Sequence, residues 1–323
     1  MPINIPDGLP AKQTLHQERI FALEEEAADR QEIRPLDVVI LNLMPTKVET
    51  ETQILRLISK SPLQVDCDFM RVSTHEATHV SHDHLVKFYD TFERYQDKNY
   101  DGMIITGAPL EQLPFDDVDY WDELCEIIDW SQGHVLSTMY LCWGAFAGLW
   151  HLYGIPVRQL PSKLFGVFQQ RLCDEYNFLT NGFDEVHNVP HSRHAAIDTS
   201  MLAQHPELHV LSESFKTGPS ILATRDFHEV YVTGHLEYGR DTLAKEFWRD
   251  FRKGLPIRVP ENYFPGDDPE RQPPFTWRAH ANLLYRNWLN WVYQMTPYER
   301  ERIPKEIASL RADSDGMVDK FEG

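Results

Sequence analysis

The stretch His134-Val-Leu-Ser-Thr-Met-Tyr-Leu-Cys142-Trp-Gly-Ala-Phe-Ala-Gly-Leu149 decides the fold, because a predicted strand ends here and a helix begins at once. Cys142 stands at the junction. A thiol on such a tight turn points towards solvent-accessible space, and the amides and dipole of the following helix favour the thiolate. Tyr140 departs from the usual pattern, in which a small residue stands two before the nucleophile. The sequence indicates a nucleophilic cysteine, and the alternative is a buried cysteine that only packs at a strand end.

A second candidate pair lies downstream, in Glu229-Val-Tyr-Val-Thr-Gly-His-Leu-Glu-Tyr-Gly239. Side chains two apart on an extended chain share a face, with ~7 Å between their α-carbons, so His235 and Glu237 are expected to project together. A carboxylate there can orient an imidazole, and the imidazole can take the proton of a thiol. A lone His-x-Glu is a weak signal, but together with Cys142 it predicts a Cys-His-Glu triad.

Outward from Cys142, short apolar runs alternate with helical patterns. Predicted strands cover 37–43, 64–70, 102–106, 134–141, 207–212, 219–224 and 228–233. Predicted helices cover 48–59, a stretch from about 82, 118–131, the stretch after Cys142, 241–253 and 277–294. This alternation predicts an α/β fold with a doubly wound, mostly parallel sheet of the flavodoxin-like type. In such sheets ligands bind at the carboxyl ends of the strands, where Cys142 lies.

The same pattern predicts three parts of the chain. An N-terminal arm over 1–35 contains a charged helix near 13–28, and a single α/β domain covers 36–298. Residues 299–323 are charged and weakly patterned, which predicts a flexible tail.

The composition limits the classes of function. The chain has 323 residues, of which 42% are hydrophobic, enough for the full core of one large domain. A net charge of −19 leaves no broad basic face for nucleic acid or an anionic membrane, so neither is expected as a partner. The chain shows no signal-peptide pattern and no run of the ~18 apolar residues that a membrane span needs, which predicts a cytoplasmic protein. Cys67, Cys125 and Cys173 have no pairing spacing and are expected to be reduced packing residues.

One further motif has the form of a metal-binding signature. The segment His75-Glu76-Ala-Thr-His79 matches HExxH, the zinc-protease pattern. That pattern needs a stable helix to place both imidazoles on one face, whereas this segment leaves a strand and leads to Ser81, which suits the N-cap of a later helix. We therefore expect a solvated His-rich loop and no metal site.

The chain as a whole closely resembles the homoserine O-acyltransferases of the homoserine O-succinyltransferase type, which share the class I glutamine amidotransferase-like fold. The resemblance covers residues 1 to about 300, and Phe146 departs from it because family members often have glutamine there. It rests on Met1-Pro-Ile-Asn-Ile-Pro6, Arg34-Pro-Leu-Asp-Val-Val-Ile-Leu-Asn-Leu-Met-Pro-Thr-Lys47, Thr106-Gly-Ala-Pro-Leu110, Leu141-Cys-Trp143, Tyr153-Gly-Ile-Pro156, Pro190-His-Ser-Arg193, Val232-Thr-Gly-His-Leu-Glu-Tyr238, Asn262-Tyr-Phe-Pro265 and Asn287-Trp-Leu-Asn290.

The resemblance implies a reaction: transfer of an acyl group from an acyl-coenzyme A to the side-chain hydroxyl of L-homoserine, the activation step of methionine biosynthesis. No further cofactor is implied, and the implied assembly is a homodimer. Cys142 would carry the acyl group as a thioester, His235 would move protons, and Glu237 would hold His235.

The resemblance also implies how the site treats its substrates. Amides of Trp143 and of Leu110 or Glu111 are expected at the oxyanion, because Pro109 in the same turn has no amide hydrogen. A glutamate at position 111 is similar to the acetyl-CoA users of the family, whereas succinyl-CoA users commonly have glycine. We therefore expect acetyl-CoA as the donor. The residues implied to bind substrate are Lys163, Ser192 and Arg249.

Alternatives remain open from the sequence. The donor could be succinyl-CoA. The same triad could serve a hydrolase or a glutamine amidotransferase, which would need no homoserine. A non-catalytic binding module with a vestigial site is the third alternative, and alkylation of Cys142 would then change nothing.

Overall fold

The structure is a computed structural model that describes residues 34–74 and 82–312 and two short strands, β1 (Ile3–Ile5) and β2 (Ala22–Glu24). These two strands pair in parallel. Strand β2 falls within the helix predicted over 13–28, so that prediction is wrong for these three residues, and the rest of it lies outside the described residues.

A nine-stranded sheet forms the centre of the molecule, and five of its strands are parallel. They lie in the order β4, β3, β5, β6, β11, which is the flavodoxin-like order. The predicted α/β fold with a doubly wound parallel sheet is therefore confirmed. The five strands are β3 (Leu36–Leu41), β4 (Val65–Met70), β5 (Tyr100–Ile105), β6 (Val135–Leu141) and β11 (Glu229–Val232).

Helices cover both faces of this parallel half. Side chains alternate along a strand, so Val38 and Ile40 share a core with α1 and α6, whereas Val39 and Leu41 share a core with α3 and α4. The helices are α1 (Lys47–Ile58), α2 (His82–Phe88), α3 (Trp121–His134), α4 (Trp143–Tyr153), α5 (Thr242–Arg252), α6 (Arg278–Met295) and α7 (Ile303–Ala312). None of the helices within the described ranges is long and apolar enough to cross a membrane.

The other four strands are antiparallel and continue the sheet beyond β11. They are β10 (Gly218–Thr224), β9 (Leu208–Ser214), β7 (Val157–Leu172) and β8 (Val186–Ile197), in that order. The sequence predicted β9 and β10 but neither β7 nor β8. Each of the two missed strands contains a proline, which argues against a regular strand. Pro190 is tolerated because β8 is the edge strand, and Pro161 lies where the pairing of β7 with β8 shifts register.

The end of the described chain also differs from expectation. The sequence predicted a flexible tail from residue 299, yet residues 303–312 form α7. Ile303, Ile307 and Leu310 are buried in the core, because they recur at helical spacing on one face. The weak overall pattern of this charged segment concealed that short apolar stripe. The division of the chain into arm, domain and tail otherwise stays a prediction.

Candidate active site

The backbone at Cys142 is strained. Cys142 lies between the last residue of β6 and the first residue of α4. Its φ of 49° and ψ of −112° lie in a region of backbone angles that non-glycine residues rarely adopt. Two hydrogen bonds hold the turn: the Cys142 amide donates to the Val232 carbonyl over 2.7 Å, and the Phe146 amide donates to the Cys142 carbonyl over 3.2 Å. The residue is only 7% exposed, so Cys142 is less accessible than the sequence predicted.

Two glycines allow the turn after β5 and the start of α4 to pack closely together. A Cβ atom on Gly144 would lie 2.6 Å from the carbonyl oxygen of Thr106, so α4 packs directly on the end of β5. A Cβ on Gly107 would lie 3.3 Å from the Cβ of Cys142 and 3.5 Å from the amide nitrogen of Trp143. The turn after β5 is therefore close to both Cys142 and the first amide of α4.

His235 and Glu237 are in contact, but through a turn. Strand β11 ends at Val232, and the Tyr238 amide donates to the His235 carbonyl over 3.2 Å, so the predicted extended segment is wrong. The turn brings Nδ1 of His235 to 2.7 Å from Oε1 of Glu237, with both side chains buried. The His235 amide also donates to the Pro190 carbonyl over 2.8 Å, which fixes the turn against β8.

The electrostatics of His235 match the role of a base. Burial lowers the pKa of the imidazole, but Cys142 and Glu237 act in the opposite direction, and together they raise it well above its ordinary value. Because Nδ1 faces Glu237, Nε2 is the ring nitrogen that can hydrogen-bond to Cys142. The Tyr238 ring stacks on the imidazole, with centroids 4.0 Å apart and an angle of 12° between the planes.

A polar cluster lies beside the candidate triad. Lys163 on β7, Ser192 on β8 and Arg249 on α5 all approach one carboxylate, that of Glu246. The Ser192 hydroxyl is 2.9 Å from each carboxylate oxygen, Lys163 forms an ion pair with Oε1, and Nη2 of Arg249 is 3.9 Å away. Burial raises the pKa of Tyr238, and the charge of Glu246 raises it further, so this cluster acts on the ring that stacks against His235.

Arg249 also has another partner. Its Nε and Nη2 donate to the two carboxylate oxygens of Asp250 over 2.6 and 2.9 Å. The hydrogen bond to Asp250 raises the pKa of Arg249, and the hydrogen bond to Arg249 lowers that of Asp250. A substrate carboxylate would therefore share or displace an existing bidentate pair.

The sequence profile described as "Homoserine O-succinyltransferase" matches residues 2–298. The chain belongs to this family. It is 60% identical to the homoserine O-acetyltransferase of Bifidobacterium adolescentis, over 98% of this chain and 93% of the relative. It is 52% identical to the homoserine O-acetyltransferase of Clostridium acetobutylicum, over 93% of this chain and all of the relative. The fold is similar to that of a glutamine amidotransferase from Thermotoga maritima, at a TM-score of 0.53 and 12% identity, over 80% of this chain and 99% of that one.

Two glutamates near the candidate triad, Glu111 and Glu246, both act electrostatically on Tyr238. Glu111 is partly buried in the turn after β5, its carbonyl accepts from Nε2 of Gln159, and its charge is among those that act on Tyr238. Glu246 was not predicted, although Glu246 and Arg249 are three apart on a helix and therefore share a face. The HExxH-like segment 75–79, for which the sequence predicts a solvated loop, lies outside the described residues.

Proposed function

We propose that this protein transfers an acetyl group from acetyl-CoA to the side-chain hydroxyl of L-homoserine, through a thioester on Cys142. The observation that carries the proposal is the strained Cys142 turn beside the 2.7 Å pair of His235 and Glu237. The homoserine O-acetyltransferase names of relatives that are 52 and 60% identical over almost the whole chain support the same reaction.

The first half-reaction forms the acyl-enzyme. His235 takes the thiol proton, and the thiolate of Cys142 attacks the carbonyl carbon of the donor thioester. The amide of Trp143 and that of Leu110 or Glu111 would donate to the oxyanion. The tetrahedral intermediate then collapses, the bond from carbon to the coenzyme sulfur breaks, and CoA leaves with the proton from His235.

The second half-reaction uses the acceptor. His235 takes the hydroxyl proton of homoserine, the alkoxide oxygen attacks the thioester carbon, and the ester product leaves as the Cys142 sulfur departs. Homoserine carries a carboxylate and an ammonium group. Lys163 and Arg249 supply cations for the carboxylate, Ser192 supplies a hydroxyl, and Glu246 supplies an anion for the ammonium. No group beyond these side chains and the donor is needed for either step.

Glu111 supports acetyl over succinyl as the acyl group. It lies in the turn next to Cys142, where a carboxylate would meet the free carboxylate of a succinyl group. Like charges repel by about 4 kcal/mol at ~4 Å and an effective dielectric near 20. The alternatives are succinyl-CoA as the donor and, on the same fold, an amidotransferase or hydrolase. A homodimer remains an expectation from the family resemblance.

The proposal is tested by mixing the protein with acetyl-CoA alone and measuring its intact mass and the released CoA thiol. We expect one acetyl group per chain, its discharge on addition of homoserine, and no adduct in Cys142→Ala. Cys173→Ala is the matched control, because Cys173 is an exposed free thiol. Acetyl transfer without an acetyl adduct or a burst of CoA release in rapid quench would instead indicate direct transfer to homoserine. Continued CoA release at the same rate with and without homoserine would indicate a hydrolase.

A further inference from the structure

A groove lies between α1 and α5, next to the turn that carries His235. It has a volume of about 590 Å³ and is bounded by one side of α1, the first turn of α5 and the residues that join α5 to the His235 turn. The Thr242 amide donates to the Gly239 carbonyl over 3.2 Å, and Nε2 of Gln53 donates to the Thr242 hydroxyl over 3.1 Å. These bonds fix α1 and α5 against each other. The groove therefore has a defined wall that continues directly from the candidate triad.

Two arginines of this groove have no partner. Arg56 lies on α1 and Arg240 precedes α5, and Nη1 of Arg56 would lie 3.6 Å from a Cβ on Gly239, so the two side chains border the same space. Within residues 34–74 and 82–312, neither guanidinium donates a hydrogen bond or forms an ion pair, and Nε of Arg240 is buried. A buried donor without an acceptor costs free energy, and a bound anion would remove that cost.

The other charges of the groove do not neutralise these arginines. Lys245 and Glu49 pair with each other over 3.1 Å, and Asp241 is exposed and forms no ion pair with either arginine. The described lining therefore carries three cations and two carboxylates, a net charge of +1, in a chain whose net charge is −19. Guanidinium groups bind phosphate oxygens through paired hydrogen bonds. The groove is thus suited to a ligand that carries phosphate.

We propose that Arg56 and Arg240 bind the phosphate groups of the acyl-CoA donor, with its thioester directed from the groove towards Cys142. The inference rests on the proposed function, which makes an acyl-CoA the donor. Arg240 follows His235 by five residues, so their α-carbons are at most ~18 Å apart, and the turn at His235 shortens this distance. The pantetheine arm between the sulfur and the phosphates is as long as about four extended residues, ~14 Å, and the arginine side chain adds further reach.

The test compares two acetyl donors that share a thioester but differ in phosphate. Acetyl-CoA carries a pyrophosphate and a ribose 3′-phosphate, whereas S-acetyl-N-acetylcysteamine carries neither. Arg56→Gln and Arg240→Gln should each lower kcat/KM for acetyl-CoA about tenfold, equivalent to ~1.4 kcal/mol, and leave kcat/KM for S-acetyl-N-acetylcysteamine unchanged. The KM for homoserine should also stay unchanged, because neither arginine lies in the cluster around Glu246.

Two further comparisons sharpen the assignment. Arg286→Gln is the matched control, because Arg286 is an exposed arginine on α6 that does not line the groove, and it should leave kcat/KM for both donors unchanged. Acetyl-dephospho-CoA lacks only the ribose 3′-phosphate. If an arginine binds that phosphate, its glutamine variant should no longer distinguish acetyl-CoA from acetyl-dephospho-CoA. If it binds the pyrophosphate, the variant should lose about tenfold in kcat/KM with both.

An equal loss with acetyl-CoA and S-acetyl-N-acetylcysteamine, or no loss with acetyl-CoA, would overturn this inference and leave the Cys142 mechanism intact. Isothermal titration calorimetry with free CoA needs no turnover, and both arginine variants should bind CoA about tenfold more weakly than wild type. If the wild type transfers acetyl from neither donor, the proposed function fails, and the CoA titration still decides the role of the groove. Weaker binding in the variants then supports the assignment, whereas equal binding, or no binding by the wild type, overturns it.

Discussion

The two halves of the sheet contribute different parts of the candidate site. The parallel half ends in the turns that carry Cys142 and Glu111, and β11 leads into the turn with His235. The antiparallel half contributes Lys163 and Ser192 from within β7 and β8. In the proposed mechanism, the parallel half therefore presents the acyl-transfer residues from strand ends, whereas the antiparallel half presents polar side chains from the faces of long strands.

This difference has a physical origin. Parallel strands all end at one edge, so residues that follow them meet there whatever the loops contain. A long antiparallel pair instead places a residue by its register, and one residue of slip moves a side chain to the other face. The division suggests a separation of tasks: the parallel half governs the acyl donor and the acyl-enzyme, and the antiparallel half together with α5 governs the acceptor. Each prediction below tests that separation.

The largest effect is expected from Glu237→Gln, which removes the charge that holds His235. Both half-reactions should slow, by about 10³- to 10⁴-fold in turnover, because the carboxylate stabilises the imidazolium that forms in each transition state. The affinity for homoserine should stay near wild type. Rapid-quench measurement of CoA release and steady-state kinetics check both points, with Glu185→Gln as the control because Glu185 forms an exposed pair with Arg171. A large rise in the homoserine KM at unchanged turnover would contradict this assignment.

Glu111→Gly should change the preference for the acyl donor and leave the homoserine KM unchanged. Removing a repulsion of about 4 kcal/mol corresponds to roughly a thousandfold gain for succinyl-CoA relative to acetyl-CoA in kcat/KM. Gln112→Gly is the matched control, since it adds the same backbone freedom one residue further along the turn. The donor assignment fails if the wild type already prefers succinyl-CoA, or if the ratio of donors is the same in both glycine variants.

Glu246→Gln tests the acceptor side. Loss of a charged partner for the ammonium group should raise the homoserine KM by about 10- to 100-fold, since hydrogen bonds to charged groups contribute about 1.5–3 kcal/mol. Acetylation of Cys142 by donor alone should be unaffected. An acceptor without the ammonium group, 4-hydroxybutyrate, should be used equally poorly by wild type and variant.

The control for this experiment is Glu49→Gln, which removes an exposed pair with Lys245 elsewhere on α5. If Glu246→Gln slows acetylation of Cys142 by the same factor by which it raises the homoserine KM, the cluster takes part in both half-reactions. The separation of tasks between the two halves of the sheet would then be wrong.

The same division explains what the sequence could predict. The position of Cys142 at a strand-to-helix turn could be predicted because the strand, the turn and the helix occupy consecutive residues. The parallel strand order follows from the alternation of such units. The pairing of His235 with Glu237 was expected from extended chain and arises from a turn, so the contact was predicted for the wrong reason. Glu246 was not assigned a role, because its partners Lys163 and Ser192 are distant in sequence and lie on strands whose prolines obscured them.

The smallest effect concerns stability, and it belongs to the antiparallel half. His187 on β8 is buried, with Nε2 2.9 Å from the Ser212 hydroxyl. Burial, and then the neighbouring His280, lower the pKa of His187 to about 4. The unfolded chain binds a proton near its ordinary pKa of about 6.5, while the folded chain does not bind one until about 4. Stability is therefore unaffected above pH ~6.5 and falls as the pH is lowered from there towards 4.

In that window, His187 should contribute a slope of about 1.4 kcal/mol per pH unit to the free energy of unfolding. His187→Gln keeps a polar group for Ser212 but cannot titrate, so urea unfolding between about pH 7 and pH 4.5 should show a shallower acid loss than in wild type. His151→Gln, at a partly exposed histidine on α4 beside Asp129, is the control for the loss of one imidazole outside the antiparallel half. An equal slope in wild type and His187→Gln would mean that the acid sensitivity does not originate in this strand. His191, which burial also keeps neutral, would then be the next group to replace, because it shares β8 and the same sign of effect.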